Sequence, residues 1–259
     1  MLLARLSGLL RISIGIVFMA VAVAVFAVLV LLALPSRGLR IRICNVFGHI
    51  VGRTSLFLAG ASVPEGIADE VRRTHPAIYI SNHTSMLDIF VGIWLAPVGT
   101  VGVAKKQVVY YPFFGQLYFI SGHILLDRAN HKNAVEALAD TARIIKDYGI
   151  GVWIWPEGTR STDGRLLPFK KGFAHLAIAT RLPIVPVVVT NGHKALPKHT
   201  LAVVPTQLGI RVLDPIPTDD WTLENLDARV AQVYAAFDAV LPEEQKAPPL
   251  PAQTRATGS

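Results

Sequence analysis

Asn82-His83-Thr84-Ser85-Met86-Leu87-Asp88 follows a short apolar run, Ala77-Ile78-Tyr79-Ile80. A histidine and an acid five positions apart, at the mouth of a strand, suit removal of a proton from a hydroxyl. A neutral imidazole takes up a proton near neutral pH, and a carboxylate can hold it in the right tautomer. Five residues on a regular helix are ~140° apart, so the two cannot share one helical face. They converge if His83 occupies the turn before a helix and Asp88 its first turn. An isolated pair of this spacing equally describes a turn histidine beside a helix-terminal acid.

A second cluster changes that weighing. Trp155-Pro156-Glu157-Gly158-Thr159-Arg160-Ser161 ends another apolar run, Gly151-Val152-Trp153-Ile154. Glycine lets backbone approach a ligand closely, and arginine offers a rigid fork of donors suited to phosphate. Together the two clusters resemble the glycerolipid acyltransferases, specifically the 1-acyl-sn-glycerol-3-phosphate (lysophosphatidate) acyltransferase family. The resemblance continues in order along the chain. Gly122-His123-Ile124-Leu125-Leu126-Asp127-Arg128 matches the family's second block, and Ile184-Val185-Pro186-Val187-Val188-Val189 its fourth. Trp155 stands where the third block usually has phenylalanine. Lys105-Lys106 before Pro112-Phe113-Phe114-Gly115, and Phe169-Lys170-Lys171-Gly172, match connecting segments. The match covers residues 75 to 190.

The resemblance implies transfer of a fatty acyl group from a thioester of acyl-carrier protein or coenzyme A to the sn-2 hydroxyl of lysophosphatidate, giving phosphatidate in phospholipid biosynthesis. The thioester is a substrate, and no further cofactor is implied. His83 would remove the hydroxyl proton and Asp88 would orient it, the substrate alcohol taking the place of a triad serine. Arg128 and Arg160 would bind phosphate, with Gly158 and Thr159 giving close backbone approach and Lys105 a weaker candidate. Glu157 would hold an arginine or contact the substrate glycerol. A sibling enzyme acting on a phosphate-free acceptor, such as a lyso-ornithine lipid, is the alternative. A serine hydrolase using Ser85 or Ser161 would need a Gly-x-Ser-x-Gly elbow, which is absent. A non-catalytic lipid-binding protein of the same fold would have no need of both His83 and Asp88. The histidines show no metal-ligand spacing, so no metal is expected.

Composition agrees with a membrane setting. The chain of 259 residues is 52% hydrophobic and 17% charged, with a net charge of +7 and a mean hydropathy of +0.45. Residues 1–60 carry Arg5, Arg11, Arg37, Arg40, Arg42 and Arg53 and no acid, leaving 19 basic and 18 acidic residues elsewhere. Charge that flanks an apolar segment fits anionic lipid headgroups as the partner rather than nucleic acid. Ile12 to Leu34 is an uncharged run of 23 residues, which at ~1.5 Å per helical residue can cross a hydrocarbon core. It is longer than a signal-peptide core and is followed by Pro35 and arginines, so a retained anchor is expected, as a full span or as a shallow hairpin in one leaflet. Arginine excess beyond it puts the catalytic domain on the cytoplasmic face of the membrane. Arg42, Asn45, His49 and Arg53 then recur at helical steps opposite Val46, Phe47, Ile50 and Val51. That helix either lies at headgroup level or packs on the catalytic domain. Cys44 is the only cysteine, and it reads as a small buried residue rather than a nucleophile.

Beyond residue 75, short apolar runs alternate with helical stretches, which predicts an α/β fold with a mainly parallel sheet flanked by helices. Strands are expected at 77–81, 101–104, 123–126, 151–155, 184–189 and 207–213, and helices at 133–146, 172–180 and 221–241. His83, Arg128 and Glu157 all fall just past strand ends, where open α/β sheets bind ligands. The domain plan is an anchor with an amphipathic helix over 1–60, an acyltransferase domain over 61–245, and a disordered tail, rich in proline and alanine, over 246–259.

Overall fold

A computed structural model describes residues 2–111, 114–126, 131–196 and 204–247. The helices are α1 (Leu2–Leu32), α2 (Arg37–Leu58), α3 (Ile67–Arg72), α4 (Leu87–Leu95), α5 (Phe114–Ile120), α6 (His131–Tyr148), α7 (Gly172–Thr180), α8 (Gly192–Ala195) and α9 (Leu226–Val240). The strands are β1 (Ala61–Ser62), β2 (Ile78–Ser81), β3 (Thr100–Lys105), β4 (Ile124–Leu126), β5 (Gly151–Ile154), β6 (Ile184–Thr190), β7 (Thr206–Gln207) and β8 (Gly209–Val212).

Six strands form one sheet in the order β4-β3-β5-β2-β6-β8, parallel except for β8, and β1 pairs with β7 separately. All four residues of β2 and the first six of β6 are buried, as strands covered on both faces must be. Ile78 and Ile80 point to the face packed by α6, α7 and α9, through Ala142, Phe173 and Phe237. Ala77 and Tyr79 point to the opposite face, covered by α3 and α4 through Val71, Val91 and Leu95. The parallel register Ile80↔Ile154 and Ile80↔Pro186 brings the ends of β2, β5 and β6 side by side. The segments that follow them, at 82, 155 and 191, therefore open on one edge.

Two expected elements differ. The strand expected over 207–213 is split at the buried Leu208, because Gln207 pairs in the small sheet and Gly209 onward in the large one. The C-terminal helix starts at Leu226 rather than Trp221. A turn closed by Thr222 N–H on Asn225 Oδ1 (2.9 Å) and Asn225 N–H on Thr222 Oγ1 (3.4 Å) precedes it, and Trp221 is buried instead in the core. Glu243–Gln245 forms a turn with Gln245 buried, and residues 248–259 lie outside the described ones.

α1 and α2 pack on each other through Val23, Val30, Phe47 and Val51, with Phe26 edge-on to Phe47 at 5.3 Å. α2 then crosses α4 closely. A Cβ on Gly48 would lie 2.8 Å from the Ile93 carbonyl oxygen, and one on Gly52 would lie 2.5 Å from that of Phe90. Asn45, His49 and Arg53 on the polar side of α2 meet the domain. Asn45 is buried, donates to Thr100 C=O at 2.8 Å and accepts from Gly99 N–H at 2.8 Å and Thr100 N–H at 3.2 Å. His49 Nε2 is 2.7 Å from Ala96 C=O, and the Arg53 guanidinium lies 4.9 Å over the Trp94 ring. Arg37 and Arg40 are committed too, donating to Gly122 C=O (2.8 and 3.0 Å) and Ile120 C=O (2.8 Å) at the end of α5. The side chains left exposed on α2 include Leu39, Val46, Ile50 and Phe57. Of the two uses open to this helix, packing on the domain is the one Asn45 and His49 adopt.

Asn45→Ala would strip three buried backbone contacts from the α2–β3 junction, a loss of about 1–3 kcal/mol if those groups stay dry. Thermal unfolding in detergent should show a clear drop for Asn45→Ala and almost none for the exposed Val46→Ala.

Candidate active site

The strand-to-helix turn after β2 is built by two side chains flanking His83. The Asn82 amide continues the β2–β6 ladder, donating to Val189 C=O and accepting from Val189 N–H, both at 2.8 Å. On the other side, Asp88 in the first turn of α4 folds its carboxylate back over the turn. Its Oδ2 accepts from Thr84 N–H at 2.5 Å and Ser85 N–H at 2.7 Å and lies 3.2 Å from His83 Nδ1. A carboxylate is an acceptor only, so Nδ1 carries the proton and Nε2 presents a lone pair. The imidazole is 13% exposed and Asp88 is 1% exposed, so the base faces outward from a buried partner.

The third block closes the site from β5. Glu157, 2% exposed, accepts from His83 N–H at 2.6 Å and from Leu167 N–H at 3.2 Å. Burial pushes its carboxyl up to about 8, against the pull of those two amides. The neighbouring bond from Ser161 N–H to His83 C=O (2.9 Å) makes the connection between the blocks two-stranded. Glu157 is thereby tied to the backbone on which His83 sits. Gly158 has φ +70° in the turn closed by its N–H on Trp155 C=O, a conformation that favours glycine. Thr159 is exposed and Arg160 half-exposed beside it. Lys105 ends β3 two strands from β2, and Arg128 lies outside the described residues.

Trp155 does more than preserve an aromatic. Its ring stacks on His83 with centroids 5.2 Å apart and also lines an apolar cavity of about 120 Å³ between α2, α4 and β3. Gly48, Ile89, Gly92, Ile93, Val103 and Leu117 form much of its wall. Gly92 makes room for the indole, since a Cβ there would sit 2.8 Å from Trp155 Cζ2. His123 also borders the cavity. It accepts from Gly102 N–H at 3.1 Å, and burial lowers it to about 4, so it is a neutral core histidine. Ser85, a rival nucleophile, is 2% exposed and donates to Leu196 C=O at 3.2 Å. An imidazole base with an oriented tautomer, partly open to solvent and stacked on a tryptophan that itself lines an apolar cavity, suits attack by an alcohol on an acyl compound.

Residues 65–190 match the family model described as Acyltransferase. A 1-acyl-sn-glycerol-3-phosphate acyltransferase from Limnanthes alba is 44% identical over 221 residues, 85% of this chain and 78% of that one. The chain belongs to the 1-acyl-sn-glycerol-3-phosphate acyltransferase family. A family member from Cocos nucifera is 43% identical over 92% of this chain and 77% of its own. The crystal structure of the 1-acyl-sn-glycerophosphate (LPA) acyltransferase PlsC from Thermotoga maritima superposes with a TM-score of 0.70 over 89% of this chain and 94% of that one. At 22% identity, that likeness is one of fold.

His83→Ala should lower acyl transfer by about 10²–10⁴-fold, the usual worth of a positioned base, with the fold intact by thermal unfolding. Asp88→Asn should lose much of the rate as well, because it weakens imidazolium stabilisation and favours the wrong tautomer.

Proposed function

We propose that the protein transfers a fatty acyl group from a thioester of acyl-carrier protein or coenzyme A to the sn-2 hydroxyl of lysophosphatidate, giving phosphatidate. The observation that carries this reading is the Asp88-held imidazole beside an apolar cavity, in a chain of this family. The acceptor hydroxyl gives its proton to His83 Nε2 as its oxygen attacks the thioester carbon. Asp88 stabilises the imidazolium. Collapse of the tetrahedral intermediate breaks the carbon–sulfur bond, and the departing thiolate takes the proton back from His83. No acyl-enzyme is required. The acyl chain lies along the cavity past Trp155, which keeps the reacting carbon next to the imidazole.

Arg160, with the exposed Thr159 and the glycine turn at Gly158, supports a phosphate seat at the mouth of the site. Arg128 and Lys105 are assigned to the same seat on the family resemblance. Ser13–Leu32 within α1 is long and apolar enough to cross a membrane, and its exposed side chains include Val17 and Leu32. We place it in the cytoplasmic membrane, with the domain on the cytoplasmic side by the excess of arginines that follow α1.

Purified protein supplied with lysophosphatidate and a labelled acyl thioester should yield labelled phosphatidate; absence of product would refute the reading. Arg160→Ala should then reduce use of lysophosphatidate about ten- to a hundredfold relative to a neutral lysolipid, because charge-assisted hydrogen bonds contribute roughly 1.5–3 kcal/mol. Lysine at 160 should rescue only in part, supplying charge without the planar fork. An unchanged acceptor preference in the folded variant would favour a phosphate-free acceptor.

A further inference from the structure

The C-terminal turn inserts a buried amide between the two segments that wall the site. Gln245 is fully enclosed, and it lies well beyond the matched domain. Its Oε1 accepts from Asn191 N–H at 3.1 Å, and its Nε2 donates to Gly164 C=O at 3.3 Å. Its backbone carbonyl accepts from Leu166 N–H at 2.8 Å.

Both side-chain bonds lead to the His83–Asp88 pair. Asn191 precedes Gly192, which packs so tightly on Asp88 that an added Cβ would lie 2.8 Å from Oδ1 and 3.1 Å from Thr84 Oγ1. Gly164 sits in the loop between Ser161, whose N–H holds His83 C=O at 2.9 Å, and Leu167, whose N–H holds Glu157 at 3.2 Å. Asn191 has φ 65°, in the left-handed region that non-glycine residues adopt infrequently, and such a position persists only where its surroundings hold it. A primary amide is suited to the task because it donates and accepts at once.

We propose that Gln245 is a positioning residue for acyl transfer. By joining the end of β6 to the loop after β5, it keeps Asp88 and the His83 backbone in register. The proposal rests on the reaction given above, so one of its tests is independent of activity.

In the full-length protein in detergent, Gln245→Met keeps side-chain volume and removes both side-chain bonds. It should lower kcat about tenfold, as loss of buried hydrogen bonds does, with KM for both substrates little changed. Gln245→Glu supplies a sharper signature. As a neutral acid it can donate and accept like the amide, whereas as a carboxylate it cannot donate to Gly164. Its kcat relative to wild type should therefore fall as pH rises. Glu244→Ala, which removes only the exposed 3.5 Å pair with Lys194, should leave kcat unchanged. Wild-type kcat in Gln245→Met, a pH-independent ratio for Gln245→Glu, or an equal loss in Glu244→Ala would overturn the proposal. Amide hydrogen exchange over 82–88 and 164–167 should quicken in Gln245→Met. Unchanged exchange would sink the clasp even if the reaction stands, while an inactive wild type with quickened exchange would sink only the reaction.

Discussion

The site depends on a buried carboxyl group that ties two sequence blocks together. Glu157 ties the amide of His83, which follows β2, to that of Leu167, in the loop after β5, and so joins two sequence blocks into one wall. A carboxyl is costly to bury, and here burial drives it up to about 8. Two amide donors offset part of that cost. Removing the carboxyl would leave both amides unpaired and the third block joined to His83 through the Ser161 bond. The aligned ends of β2 and β5 make such a short tie geometrically available.

The remaining polar groups around the pair follow the same logic of commitment. Asp88 spends Oδ2 on two backbone donors and the imidazole, and Asn82 spends its whole amide on Val189. The imidazole edge opposite Asp88 is what the arrangement leaves for chemistry. Trp155 then separates two environments, with His83 against one side of the ring and the apolar cavity adjoining it. A reaction between a polar alcohol and an acyl chain calls for that division.

Much of this was legible in the sequence. The His-x4-Asp spacing, the apolar runs before it and before Trp155, and the helical stripe through Leu138, Ala142 and Ile145 are local signals, and they mark the turn after β2, the third block and the crossover helix α6. The use of α2 was not. Its periodicity separates Asn45 and His49 from Val46 and Ile50, but periodicity does not say which residues meet protein, and here Asn45 and His49 turn onto the domain with Phe47 and Val51 packed on α1, while Val46 and Ile50 stay exposed. Glu157 was legible as a site residue but not in its role, because its partners are backbone amides that carry no sequence mark. Gly192 and Gln245 were invisible for a related reason. Their importance lies in contacts with residues far along the chain, Asp88 for one and Gly164 for the other.

The central claim is that the acceptor hydroxyl attacks the thioester directly, with His83 as its base. Incubating the wild-type protein with a labelled acyl thioester, withholding lysophosphatidate, and then adding it after quenching of a parallel sample tests this most directly. The account predicts no label covalently attached to protein before the acceptor is added and prompt labelled phosphatidate afterwards. A labelled acyl-protein that forms without acceptor and passes its label to lysophosphatidate at the turnover rate would contradict it.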